Sequence, residues 1–147
     1  MDEMGFIERF TSASVSLVEH PMAPGVLGSP VHTHSQEDEL SYILEGTVQA
    51  LVGDQVLTAV AGGYIWKPRG VSHAFWNPGP TPARVLEIIT PGAFAGYFRE
   101  LLAAVRAGGG APDRDAMAAA AERYRLDMDY GSIEDLCSRF GVRLPRM

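Results

Sequence analysis

Residues 31–46 read VHTHSQEDELSYILEG, and this stretch decides the architecture of the chain. In an extended strand, residues two apart share a face, so His32 and His34 project side by side while Thr33 points away. Glu39 follows after a short gap, and His73 arrives about forty residues later. Three imidazoles and a carboxylate at these spacings converge on one metal ion only if strands carry them. Such mixed ligation suits one divalent transition-metal ion, namely iron, manganese, nickel, cobalt or zinc. An octahedral ion would keep two positions open for water, substrate or dioxygen. The expected ligands are His32, His34, Glu39 and His73, with Glu39 also expected to be catalytic as a proton acceptor.

Glu37, Asp38 and Glu39 run consecutively, and any of them is a candidate ligand. Strand parity removes Asp38 from the face of Glu39 but leaves Glu37. Glu39 is preferred because Leu40 to Leu44 continues as a strand and anchors it, and Glu37 and Asp38 are expected to form a solvated acidic rim. An HxH pair alone is more often surface or core histidine than ligand. His20, at a strand end beside Pro21, is read as such a surface histidine.

The framework around these residues is regular. Gly25 and Gly28 precede the histidine pair, four residues separate His34 from Glu39, and six separate Glu39 from Gly46. A second block runs Gly62, five residues, Pro68-Arg69-Gly70, two residues, His73, three residues, Asn77. With both motifs present, the chain resembles a single-domain cupin. The second block matches at every signature position, and the first places its leading glycine one residue early, at Gly25. SYILEGTVQALVGD (41–54) and KPRGVSHAFWN (67–77) are most similar to the quercetin-dioxygenase-like branch of small bacterial cupins.

The resemblance implies a mainly β fold: a jelly-roll-like double-stranded β-helix, or cupin β-barrel, over residues 1–92, with a metal at its centre. It also implies a homodimer and a quercetinase-like dioxygenase acting on a small molecule. The alternatives are a non-redox metal enzyme (isomerase, decarboxylase or polyketide cyclase) and a ligand-binding cupin without turnover.

The local patterns agree on fold class. Strands are expected at 13–18, 31–34, 40–44, 47–52, 55–60, 64–66, 72–76 and 84–89. They are short, rich in β-branched or aromatic residues, and punctuated by Gly, Pro and Asp. Gly46 and Gly53-Asp54 suit reversals of the chain. After Pro91-Gly92 the spacing of Phe94, Phe98, Leu101, Leu102 and Val105 predicts a helix lying on the barrel or on a partner subunit, ended by Gly108-Gly109-Gly110. Asp113 is expected to cap a second helix through Arg125, and Ser132 with Asp135 a third through Phe140. Residues 93–147 thus read as a helical tail.

Phe75, on the face of His73, and Ser41 and Ile43, on the face of Glu39, are expected to contact substrate, with Trp66 and Tyr64 as a stacking surface. Lys67 and Arg69 are expected to be solvated turn charges. An interior with few charges favours an apolar, aromatic ligand.

At 147 residues and 46% hydrophobic composition, one domain with a sizeable core is expected. The net charge of −6 argues against nucleic acid, which favours clustered basic surface. An acidic Met-Asp-Glu start leads into no apolar stretch, and no apolar run is long enough to span a bilayer. Cys137 is the one cysteine, which fits a reducing, cytoplasmic compartment.

Overall fold

The computed structural model describes residues 2–109 and 113–147. Gly110, expected within the helix-ending glycine run, lies outside them. The strands are β1 (Ile7–Thr11), β2 (Ser16–Met22), β3 (Val31–His34), β4 (Asp38–Glu45), β5 (Thr47–Val52), β6 (Gln55–Val60), β7 (Tyr64–Lys67), β8 (His73–Trp76), β9 (Ala83–Thr90) and β10 (Leu126–Asp129). The helices are α1 (Ala95–Ala107), α2 (Arg114–Arg123) and α3 (Ser132–Phe140).

Two five-stranded antiparallel sheets, ordered β1-β2-β9-β4-β7 and β10-β3-β8-β5-β6, form the mainly β double-stranded helix. Inner residues alternate along each strand, as period-two patterning requires. On β9 these are Ala83, Val85, Glu87 and Ile89, all buried. Across the first sheet, Glu39 lies between Ile89 and Lys67, and Ser41 between Glu87 and Ile65. Gly46 joins β4 to β5 at φ +76, where an added Cβ would stand 2.5 Å from the Pro82 carbonyl oxygen. Only glycine fits there.

One apolar cluster fills one part of the barrel interior with Met22, Val26, Ile43, Val48, Ile65 and Val85. A second joins Val18 and Ile89 to Phe94, Tyr97, Ala120, Ala121 and Leu126. A third gathers Leu27, Ala74 and Trp76 with Leu136 and Val142. The last two draw residues from both sides of Gly92, so the tail is packed against its own barrel.

Four expectations about elements are corrected. β1 has no counterpart among the expected strands; every residue in it is exposed, so it carries no core-facing periodicity. β2 runs past Pro21 to Met22, pairing with β9 along its length. The second helix ends at Arg123 rather than Arg125, because Arg125 takes a left-handed φ of 52°, and Leu126–Asp129 then pairs with β3 as β10. α3 is preceded by Gly131 at its N-cap; Ser132 instead donates to the Asp129 carbonyl and accepts from the Val31 amide, which ties the tail to β3. Asp113 does cap α2, accepting from the Asp115 and Ala116 amides at 3.1 Å.

Candidate metal centre

Strand parity sends His32 and His34 inward from β3, and His73 on β8 stands directly opposite His32. Glu39 enters from β4 in the facing sheet. All four side chains are buried, and one ligand atom from each lies within 4.8 Å of the others. Glu39 Oε1 is 3.1 Å from both His34 Nε2 and His73 Nε2.

The outer ring nitrogens are engaged elsewhere. His32 Nδ1 is 2.8 Å from the Pro30 carbonyl oxygen, and His73 Nδ1 is 3.3 Å from that of Val71. A carbonyl only accepts, so these Nδ1 atoms carry the proton and Nε2 presents its lone pair inward. His34 Nδ1 is held 3.2 Å from Glu37 Oε1. Inward lone pairs beside a carboxylate oxygen suit a cation held among them. The formal charges agree: buried Glu37, Glu39 and Glu87 oppose Lys67, and a divalent ion brings that set to neutrality. The donor set therefore fits a divalent ion such as iron, manganese, nickel, cobalt or zinc.

The electrostatics of the protein alone run the same way. Burial would lower the His34 pKa, but the Glu39 charge and the hydrogen bonds to Glu37 and Glu39 outweigh it and raise it to about 9. Burial, aided by the charges of His73 and His34, pushes His32 well below its usual value, and burial likewise lowers His73. Burial opposes ionisation of Glu39, yet His34 and Lys67 hold its carboxyl well below the usual range.

Several sequence expectations change here. Glu37 is not a solvated rim residue but a buried carboxylate fixing His34; Asp38 remains partly exposed and pairs with Arg69 at 3.0 Å. Lys67 is not a solvated turn charge: it is 2% exposed, with Nζ 2.7 Å from Glu87 Oε1, 3.8 Å from Glu39 Oε1 and 5.1 Å from the centre of the Phe75 ring. Lys67 shares parity with Ile65, and that alternation was the available signal. The interior is accordingly more charged than the composition of residues 40–83 suggests. His20 is not a surface histidine: β2 continues beyond residue 18, and His20 faces inward from it, 2% exposed.

The centre opens into a cavity of about 920 Å³. His32, His34 and Glu39 stand on its wall, as do Phe6, His20, Phe75, Phe94 and Phe98. Phe75 thus lies where a substrate residue was expected, and Gly28 gives it room, since a Cβ there would come within 2.5 Å of the ring. Ser41 and Ile43 share Glu39's face but do not line the cavity. Ser41 donates to Glu87 at 2.9 and 3.0 Å, and Ile43 packs in the core. Trp66 and Tyr64 have the opposite parity to Lys67 and project outward, 50% and 67% exposed, so neither stacks on anything inside.

Residues 19–89 match the family model described as the cupin domain. Germin-like protein subfamily 2 member 2 of Arabidopsis thaliana is 35% identical over 85 residues, 54% of this chain; the chain spans 38% of that relative's length. TT1209 from Thermus thermophilus superposes with a TM-score of 0.57 at 29% identity, over 60% of this chain and 84% of that one. The cupin domain of Schizosaccharomyces pombe Cnp3 shares the fold with a TM-score of 0.58 at 19% identity, over 67% of this chain and 72% of that one. Both histidine-bearing stretches fall inside the segment that matches the cupin-domain model, and the two sheets enclose them.

Proposed function

We propose that this chain is a metal-dependent enzyme acting on a small, largely apolar aromatic or enol substrate, with quercetinase-like dioxygenation as its reaction class. The observation that carries this reading is a cluster of three imidazoles and one carboxylate, of which His32, His34 and Glu39 stand on the wall of a cavity lined by phenylalanines. A divalent ion held by His32, His34, Glu39 and His73 would polarise a substrate oxygen and lower its pKa. The aromatic wall orients a flat substrate and excludes water. The contacts of Glu39 with His34, His73 and Lys67 all fall on Oε1, which leaves Oε2 to take the hydroxyl proton. Lys67 and Glu87, fixed to each other, hold the carboxylate in place from behind.

Elemental analysis of protein prepared without chelator or affinity nickel, followed by oxygen uptake with flavonols and catechols, tests the proposal. The expected result is close to one redox-active ion per chain and substrate-dependent oxygen consumption. Glu39→Gln is expected to keep part of the metal and lose most turnover; unchanged turnover would remove the proton-accepting role. Turnover on zinc without oxygen uptake would favour the non-redox reading, which the Lys67–Glu87 pair supports as a proton-handling element that asks for no oxidant. Saturable binding without product would favour a binding module.

A further inference from the structure

The strongest feature that the metal centre does not use is His20. It projects from the inner face of β2, is almost fully buried, and lines the same cavity as His32, His34 and Glu39. Its Nδ1 lies 3.1 Å from the Gly5 carbonyl oxygen. That oxygen can only accept, so Nδ1 carries the proton and Nε2 of the neutral ring carries a lone pair. Among the described residues, the hydrogen bonding of His20 runs through Nδ1 alone. His20 stands on the cavity wall, so Nε2 is left to accept from a group inside the cavity.

The surroundings define what would satisfy it. Phe6 and Phe98 meet the imidazole edge-on with centroids at 5.2 Å, and Phe75 lies tilted at 5.9 Å. These rings come from three separate parts of the chain, and all three stand on the cavity wall. Of the charged groups nearby, Lys67 and Glu87 are paired with each other, Ser41 donates to Glu87, and Glu39 belongs to the donor cluster. A lone pair within three phenyl rings therefore selects a flat apolar group that carries one hydrogen-bond donor.

We propose that His20 and Phe6, Phe75 and Phe98 form a second subsite, at which Nε2 accepts a hydrogen bond from a hydroxyl of an aromatic ligand. The subsite deepens the reading of the cavity as an aromatic-substrate site, and it works without the metal. It assigns the substrate an aromatic hydroxyl here, in addition to the oxygen directed at the four donors.

The test compares 2-naphthol with 2-methoxynaphthalene by calorimetry, on metal-stripped and metal-loaded full-length protein. The ether keeps the ring and loses the donor. Wild type is expected to prefer the naphthol by about tenfold in both states, the size of one net hydrogen bond. His20→Asn keeps an amide to serve the Gly5 carbonyl and removes Nε2, and is expected to bring the two affinities to within about twofold. Nitrogen-15 spectra of the wild-type ring supply a second readout that needs no variant: the Nε2 resonance is expected to move on saturation with naphthol. Equal affinities in wild type, failure of both probes to bind, a preference that survives His20→Asn, or an unmoved Nε2 resonance would each overturn the subsite. A preference retained in stripped protein, with no oxygen uptake when loaded, would sink the dioxygenase reading and leave the subsite standing.

Discussion

A single oxygen, Oε1 of Glu39, meets two imidazole nitrogens and an ammonium, so the charge state of its neighbours governs the metal-free site. His34 has its pKa raised to about 9 from an ordinary 6.5. A raised folded-state value gives stability that is complete below pH 6.5 and disappears as pH climbs through 9. Metal-stripped protein is therefore expected to lose up to about 3 kcal/mol between those limits. Metal-loaded protein, in which the ion displaces that proton, should lack this loss, and metal affinity should rise over the same window. Chemical denaturation at both pH values, with and without metal, checks this; identical curves would contradict it. The Lys67–Glu87 pair makes a second prediction. Lys67→Met leaves a buried carboxylate short of its partner and is expected to destabilise by about 3–5 kcal/mol, whereas adding Glu87→Met should restore most of it. Additive losses in the double variant would mean that the pair is not coupled.

Among the elements, β3 carries two of the four donors and borrows support from the tail. Leu126 on β10 pairs with His34 and Met128 with His32. Leu126→Ala is expected to cost about 2–4 kcal/mol as a buried truncation and to weaken metal binding without touching a ligand. Metal titration of the folded variant reads the second effect, and unchanged affinity would show β3 to be self-sufficient. This dependence was not legible in the sequence. In β10 two of the four residues are aspartates, a type depleted in strands, and the left-handed turn at Arg125 falls on a residue type that gives no warning. By contrast β3, β5 and β6 occupy the residues expected of them, since β-branched alternation and glycine turns speak for themselves there. The spacing of the four donors was readable because parity and turn glycines fix which side chains face inward. What escaped was the company they keep. Glu37, Lys67, Glu87 and His20 are polar residues on inward-facing positions, and a reading that sends polar side chains to water misplaces each of them.

At the scale of the whole molecule, the tail's apolar stripe is used internally, with Phe94, Phe98 and Leu101 packed beside Val18 and Ile89. The exposed aromatic surface lies elsewhere. Tyr42 and Tyr64 are cross-strand partners on β4 and β7, and Trp66 follows on the same outward face of an edge strand. A homodimer is expected to cover this face. Light scattering should give a dimeric mass for wild type and a monomeric one for Trp66→Glu; a monomeric wild type would remove the expectation. No helix among the described residues is long and apolar enough to cross a membrane.

The pairing of β10 with β3 also bears on the chain's birth. The ribosome releases β3 well before β10, the strand that closes its open side. A nascent barrel would therefore present His32 and His34 on a half-finished edge. All four donors, His73 the last of them, are made before β10, so an ion taken up at that stage would sit beside a strand not yet closed.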